Sequence, residues 1–148
     1  MTDPTILRDF LIAGTPLRGL IVRGPFSLCA YLGVPRDHWM ARMEELEFPC
    51  HWGVTFSAEG EGGLRPLDWY WYGWDYGHAG DALELPPELE ALMPAELRPS
   101  QRGKRWTVDE VEHEVIDAAL ALHEQMQQAC AQTELTLAGK DTLGPKAP

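Results

Sequence analysis

Residues 68–76 read Asp68-Trp69-Tyr70-Trp71-Tyr72-Gly73-Trp74-Asp75-Tyr76, a density of aromatic side chains that suits a β-strand better than a helix. Just upstream, Cys50, Trp52, Val54 and Phe56 alternate with His51, Gly53, Thr55 and Ser57. That is a period of two, the mark of a half-buried strand. The glycine-rich connection Glu59-Gly60-Glu61-Gly62-Gly63 joins the two runs, and an antiparallel hairpin is their simplest pairing.

Outward from this hairpin the chain alternates between short elements and breakers. Asp3-Pro4 has the form of a helix start, and Ile6, Leu7, Phe10 and Leu11 recur at helical spacing up to Gly14, so a first helix is expected there. Leu20-Ile21-Val22 predicts a strand ending at Gly24-Pro25. Ser27 to Val34 predicts another, with Leu28, Ala30, Leu32 and Val34 on one side and Cys29, Tyr31 and Gly33 on the other. Asp37 can cap a helix with Trp39, Met40, Met43 and Leu46 on its apolar stripe, stopped before Phe48-Pro49. Beyond Asp81, the prolines of Leu85–Pro94 permit only a brief helix, and the basic stretch from Arg98 to Arg105 reads as a surface connection. Thr107-Val108-Asp109-Glu110 is a capping box, with Trp106 placed to staple against Val111. Val108, Val111, Val115, Ala118, Ala119, Leu122 and Met126 then form one apolar stripe. The expected architecture is a single α+β domain over residues 1–132, a small antiparallel β-sheet packed against a long C-terminal α-helix and shorter helices. A flexible tail is expected at 133–148.

The chain has 148 residues and a formal net charge of -11, enough length for one core and a charge that argues against direct binding of nucleic acid. No window has the apolar length of a membrane span, and the first residues lack the basic region of a signal peptide. The 3 cysteines, Cys29, Cys50 and Cys130, contain no C-x-x-C, which fits reduced thiols. A cytoplasmic location with no membrane association follows as the expectation.

Chemistry is concentrated in the hairpin. A register setting His51 opposite Asp75 also sets Gly53 opposite Gly73 and Thr55 opposite Trp71. Facing glycines would leave a floor without side chains, bounded by His51, Thr55, Trp71 and Asp75, with Trp69 beside it. The turn Tyr76-Gly77-His78-Ala79-Gly80-Asp81 can return His78 and Asp81 to the same rim. His51, Asp75, His78 and Asp81 are therefore the candidate catalytic residues. His51, Gly53, Thr55, Trp69, Trp71, Gly73, Asp75 and His78 are the candidate ligand contacts. An Asp that accepts from a ring N–H fixes the imidazole and frees its other nitrogen to move a proton, with His51–Asp75 or His78–Asp81 as the pair. A metal is not expected, because the spacing matches no zinc motif, and no cofactor is expected either. The competing reading is structural: Asp and His near a strand end satisfy the backbone of a tight turn. Likewise, alternating Trp and Tyr fill a core.

These same residues carry a resemblance. Cys29-Ala30-Tyr31-Leu32-Gly33-Val34-Pro35, His51-Trp52-Gly53-Val54-Thr55-Phe56-Ser57 and Trp71-Tyr72-Gly73-Trp74-Asp75-Tyr76-Gly77-His78-Ala79-Gly80-Asp81 together resemble a family of small uncharacterised proteins of tailed phages and prophages. Members carry a strand like H-G-G-L-T-F-S and a motif like W-W-F-G-F-D-C-A-H-A-G-D. This chain departs in Trp52, Tyr70 and Tyr76, where glycine, tryptophan and cysteine are usual. The resemblance implies a phage or prophage setting and a recurring site. Two functions are expected from it and from the residues: a non-enzymatic binding protein for a small ligand or a host protein, such as a host-directed inhibitor, or a small hydrolase or transferase with a His/Asp acid–base pair.

Overall fold

The computed structural model of the chain describes residues 4–143. Five strands, β1 (Thr5–Leu11), β2 (Arg18–Arg23), β3 (Leu28–Pro35), β4 (Phe56–Glu59) and β5 (Trp69–Asp75), form one antiparallel sheet in the order β1-β2-β3-β5-β4. Two helices follow, the short α1 (Pro87–Glu90) and the 36-residue α2 (Val108–Leu143). The α+β architecture with a long C-terminal helix is as expected.

The pleat of β3 and β5 sorts the core into two layers. Ala30, Leu32, Tyr72 and Trp74 face α2, where they meet Val115, Ala118, Ala119 and Leu122. Leu20, Val22 and Trp71 form a smaller cluster on the other face, joined by Cys29, Tyr31, Phe56, Leu64 and Trp69. The 59–68 connection roofs part of that face, where Trp71 Nε1 donates to the carbonyl of Pro66 (3.0 Å) and the Arg65 guanidinium lies 4.5 Å from the Phe56 ring centroid. The start of α2 follows its capping box: Glu110 N donates to Thr107 Oγ1 (3.2 Å) while Thr107 N donates to Glu110 Oε1 (3.0 Å).

Four expectations are corrected. Residues expected as a first helix form edge strand β1; the cap at Asp3 lies outside the described residues. The register of β1 on β2 shifts between Ile6 and Arg8, a bulge that lets Leu7 and Phe10 both reach the helix-side core. An extra residue in a strand spaces inward side chains by three, imitating a helical period. The helix expected from Asp37 is a series of turns. Arg42 is left-handed at φ 64°, and the Tyr72 hydroxyl, bound to Met40 O (2.6 Å) and Met43 N (3.0 Å), takes up backbone groups that a helix would use. Trp39 and Met43 are accordingly exposed while Met40, Leu46 and Phe48 are buried. The strand expected over Cys50–Ser57 begins only at Phe56. Finally, α2 continues through residues 133–143, where a tail is expected. Extending a helix that has already nucleated gains one backbone bond per residue fixed, and the hydroxyls of Thr133 and Thr136 donate to Ala129 O and Gln132 O. Residues 144–148 of that expected tail lie outside the described residues. Among the described residues no helix is long and apolar enough to cross a membrane.

Candidate functional site

Beyond β5 the chain turns sharply at one end of the sheet. Tyr76 stays in the core, donating to Glu114 Oε1 of α2 (2.6 Å) and accepting from Trp74 Nε1 (3.1 Å). Burial, and then the bond to Glu114, raises its phenol well above the ordinary tyrosine range. Gly77 N donates to Asp75 Oδ1 (2.9 Å) and Gly80 takes φ 91°, a conformation glycine adopts without penalty. The turn delivers Asp81 to a closed position, its side chain 3% exposed. Backbone bonds from Ala82 N to Lys104 O (2.8 Å) and from Lys104 N to Gly80 O (2.7 Å) then clamp this segment to the chain entering α2.

Asp81 is the hub. Its Oδ2 accepts from His51 Nε2 (2.8 Å) and from His78 N (3.0 Å), and its Oδ1 accepts from Trp106 Nε1 (2.9 Å). Burial pushes its carboxyl up, but the bonds from His51, His78 N and Trp106 outweigh that and hold it below the usual carboxylate range. An ionised carboxylate only accepts, so Nε2 of His51 carries a proton and Nδ1 is the lone-pair nitrogen of the neutral ring.

His51 reaches Asp81 because 50–53 is a turn. Trp52 and Gly53 take φ 62° and 81°, and Gly53 N donates to Cys50 O (3.1 Å). The His51 ring stacks on Tyr76 (4.7 Å between centroids, 9° between planes) and meets Trp106 edge-on at 5.0 Å. Trp52 is thrown outward, 61% exposed, onto the ring of His78 (5.0 Å, 12°). The two imidazoles stand 6.0 Å apart. His78 Nε2 is 3.3 Å from Asp75 Oδ1, close enough for an ion pair but not aligned for a hydrogen bond.

Two open clefts flank Trp52. One, of about 590 Å³, is lined by Cys50, His51, Glu114 and Asp117. The other, of about 890 Å³, runs between Glu44, Glu45 and Glu47 on one side and Val54–Ser57 on the other. Burial pushes the Cys50 thiol up to about 12, with Glu114 adding to it, so it is no nucleophile at neutral pH. Among the described residues no three His, Cys, Asp or Glu side chains are grouped to hold a metal ion.

The structure thus brings His51, Asp75, His78 and Asp81 to one rim but exchanges their partners. His51 pairs with Asp81, not Asp75; the His78 ring lies beside Asp75 and only its backbone N–H bonds Asp81. The glycine floor is absent. Gly73 pairs with Phe56, not Gly53, and Trp71 with Ala58, not Thr55. That offset of three residues is odd, so it exchanges the faces. Bare positions instead seat aromatic rings: a Cβ at Gly73 would come within 2.6 Å of the Tyr31 ring, and one at Gly33 within 2.9 Å of Trp71. Trp71 is buried with Leu20 and Val22, and Trp69 packs beside it under the Arg18 guanidinium (5.4 Å). Gly53 and Thr55 line the larger cleft, so the expected ligand contacts fall into separate places. Sequence reasoning missed Tyr76, Trp106 and the outward Trp52 as parts of this site. The capping box, which fixes Trp106 just before α2, was the available signal for one of them. No family model matches the chain, and neither a curated protein nor a solved structure matches it.

Proposed function

We propose that this chain is a non-enzymatic binding protein of the phage or prophage kind, whose contact surface is the Trp52 ridge and whose partner is a host protein with a basic surface. One observation carries this reading: a large aromatic side chain stands 61% exposed at a left-handed φ of 62°. A bulky residue rarely adopts that conformation, and positions that do so cluster at functional sites. The stack on His78 holds the indole from behind, so little freedom remains to be lost on binding, and exposed Trp is a common anchor of interfaces. Charge supports the partner's sign. The carboxylates of Glu44, Glu45, Glu47 and Asp117 face the two clefts with no ion pair among the described residues, and no Lys or Arg lines either cleft. Such a field attracts and orients a basic partner. In pull-down from a host lysate, Trp52→Ala is expected to lower retention of the specific partner about tenfold or more, while His51→Gln retains it. Equal retention by Trp52→Ala overturns the reading.

The 2.8 Å bond between His51 Nε2 and Asp81 Oδ2 favours a second reading, a small hydrolase or transferase in which Nδ1 of His51 takes a proton from water or a substrate hydroxyl in the smaller cleft. Chromogenic ester and phosphate substrates test it. Turnover that falls about a hundredfold in His51→Gln supports the acid–base role, and turnover unchanged by that substitution removes it.

A further inference from the structure

The larger cleft runs along an open sheet edge. β4 lies at the end of the strand order and bonds only to β5. Gly60 N donates to Trp69 O (2.9 Å), and the register continues through Ala58↔Trp71 and Phe56↔Gly73. In an antiparallel ladder bonded positions alternate, so the backbone groups of Ser57 and Glu59 point away from β5 into the cleft side. The opposite edge is guarded: β1 carries a bulge, and Arg8 is tied to Asp109 and Glu112 of α2, the usual devices against strand addition. On β4 the one charged residue, Glu59, is engaged at the strand's end by Arg42 and Arg36. Ser57 stands in the open stretch, facing a wall of Glu44, Glu45 and Glu47. Several acidic side chains elsewhere are neutralised locally, Asp9 by Arg18, Glu61 by Arg65, Glu84 by Arg23 and Arg105, and Glu110 by Lys104.

Resting on the binding reading above, we infer that the β4 edge takes up an extended basic segment of the partner protein as an added strand. Main-chain bonds to Ser57 supply the pairing, and alternate side chains supply the selection. The wall of glutamates belongs to the segment that also places Phe48 against Tyr72 and Trp74 on the α2 side of the sheet. Lys or Arg at every second position therefore meets it, while the intervening apolar residues lie over the Phe56 and Tyr31 rings, which pack edge-to-face at 5.5 Å on the other side.

The probes are two acetylated eight-residue peptides of equal charge, one alternating Lys and Val and one with the four Lys in a block. The alternating peptide is expected to bind the full chain about tenfold more tightly and to slow exchange of the Ser57 amide about tenfold. Ser57→Pro removes an outward N–H without touching the β5 ladder, a place where an edge strand tolerates proline, and is expected to lose that preference. If that variant does not fold, the alternating peptide with every second amide N-methylated tests the same bonds and is expected to lose its advantage. Equal binding of both peptides with unchanged Ser57 exchange overturns strand addition and reduces the attraction to charge. Failure of the alternating peptide to bind wild type also overturns it. The Trp52→Ala pull-down result separately decides the binding reading.

Discussion

Replacing Asp81 with alanine is expected to cost about 3–5 kcal/mol of stability, because each buried donor left without its acceptor costs about 1–3 kcal/mol. Three donors, from His51, His78 and Trp106, lose their common acceptor, and each buried unsatisfied group is destabilising on its own account. At about 2–4 °C per kcal/mol for a chain of this size, thermal melting should fall by about 6–20 °C. The pH dependence has a definite sign. The Asp81 carboxyl is depressed in the folded chain, so its contribution is present above the unfolded value of about 3.9 and is lost as the pH falls through the lower folded value. Melting between pH 3 and 7 should therefore show a shallower acid limb in Asp81→Ala than in wild type. A melting temperature within 2 °C of wild type at neutral pH, about the effect of a surface substitution, would show that the hub does not hold this end of the sheet.

Trp71→Ala is expected to be equally damaging for a different reason. The ring is 0% exposed, lies on the bare backbone of Gly33 and donates to Pro66 O, so truncation empties a cavity and frees the 59–68 connection, at about 3–5 kcal/mol. Denaturant unfolding of Trp71→Ala beside Trp52→Ala should separate the two tryptophans: the exposed one changes stability by about 0.5 kcal/mol or less. Comparable losses in both would contradict their assignment to core and surface.

Contrast between these two tryptophans shows how far local pattern reaches. Strands follow from alternation in Ser27–Val34 and from the aromatic run Trp69–Asp75, so β3 and β5 were readable from residues alone. So was the start of α2, because the Thr107–Glu110 cap closes within one turn. Spacing misled where a single backbone irregularity shifted the phase: the bulge in β1 gave Leu7 and Phe10 a helical interval, and the left-handed pair Trp52–Gly53 turned an apparent strand inside out.

The site divides along the same line. That His51, His78, Asp75 and Asp81 would meet at one rim is contained in the chain itself, since glycine turns and strand ends place them near each other. Their pairing is not, because the bond from His51 to Asp81 spans thirty residues and depends on a hairpin register that no short turn sets. Aromatic packing accompanies that register: with Phe56 opposite Gly73, its ring meets edge-on the Tyr31 ring that covers the bare backbone of Gly73, on the face of the sheet away from α2. A packing preference of that kind exists only once distant strands are side by side, which is why one tryptophan became core, another surface, and the carboxylates changed partners.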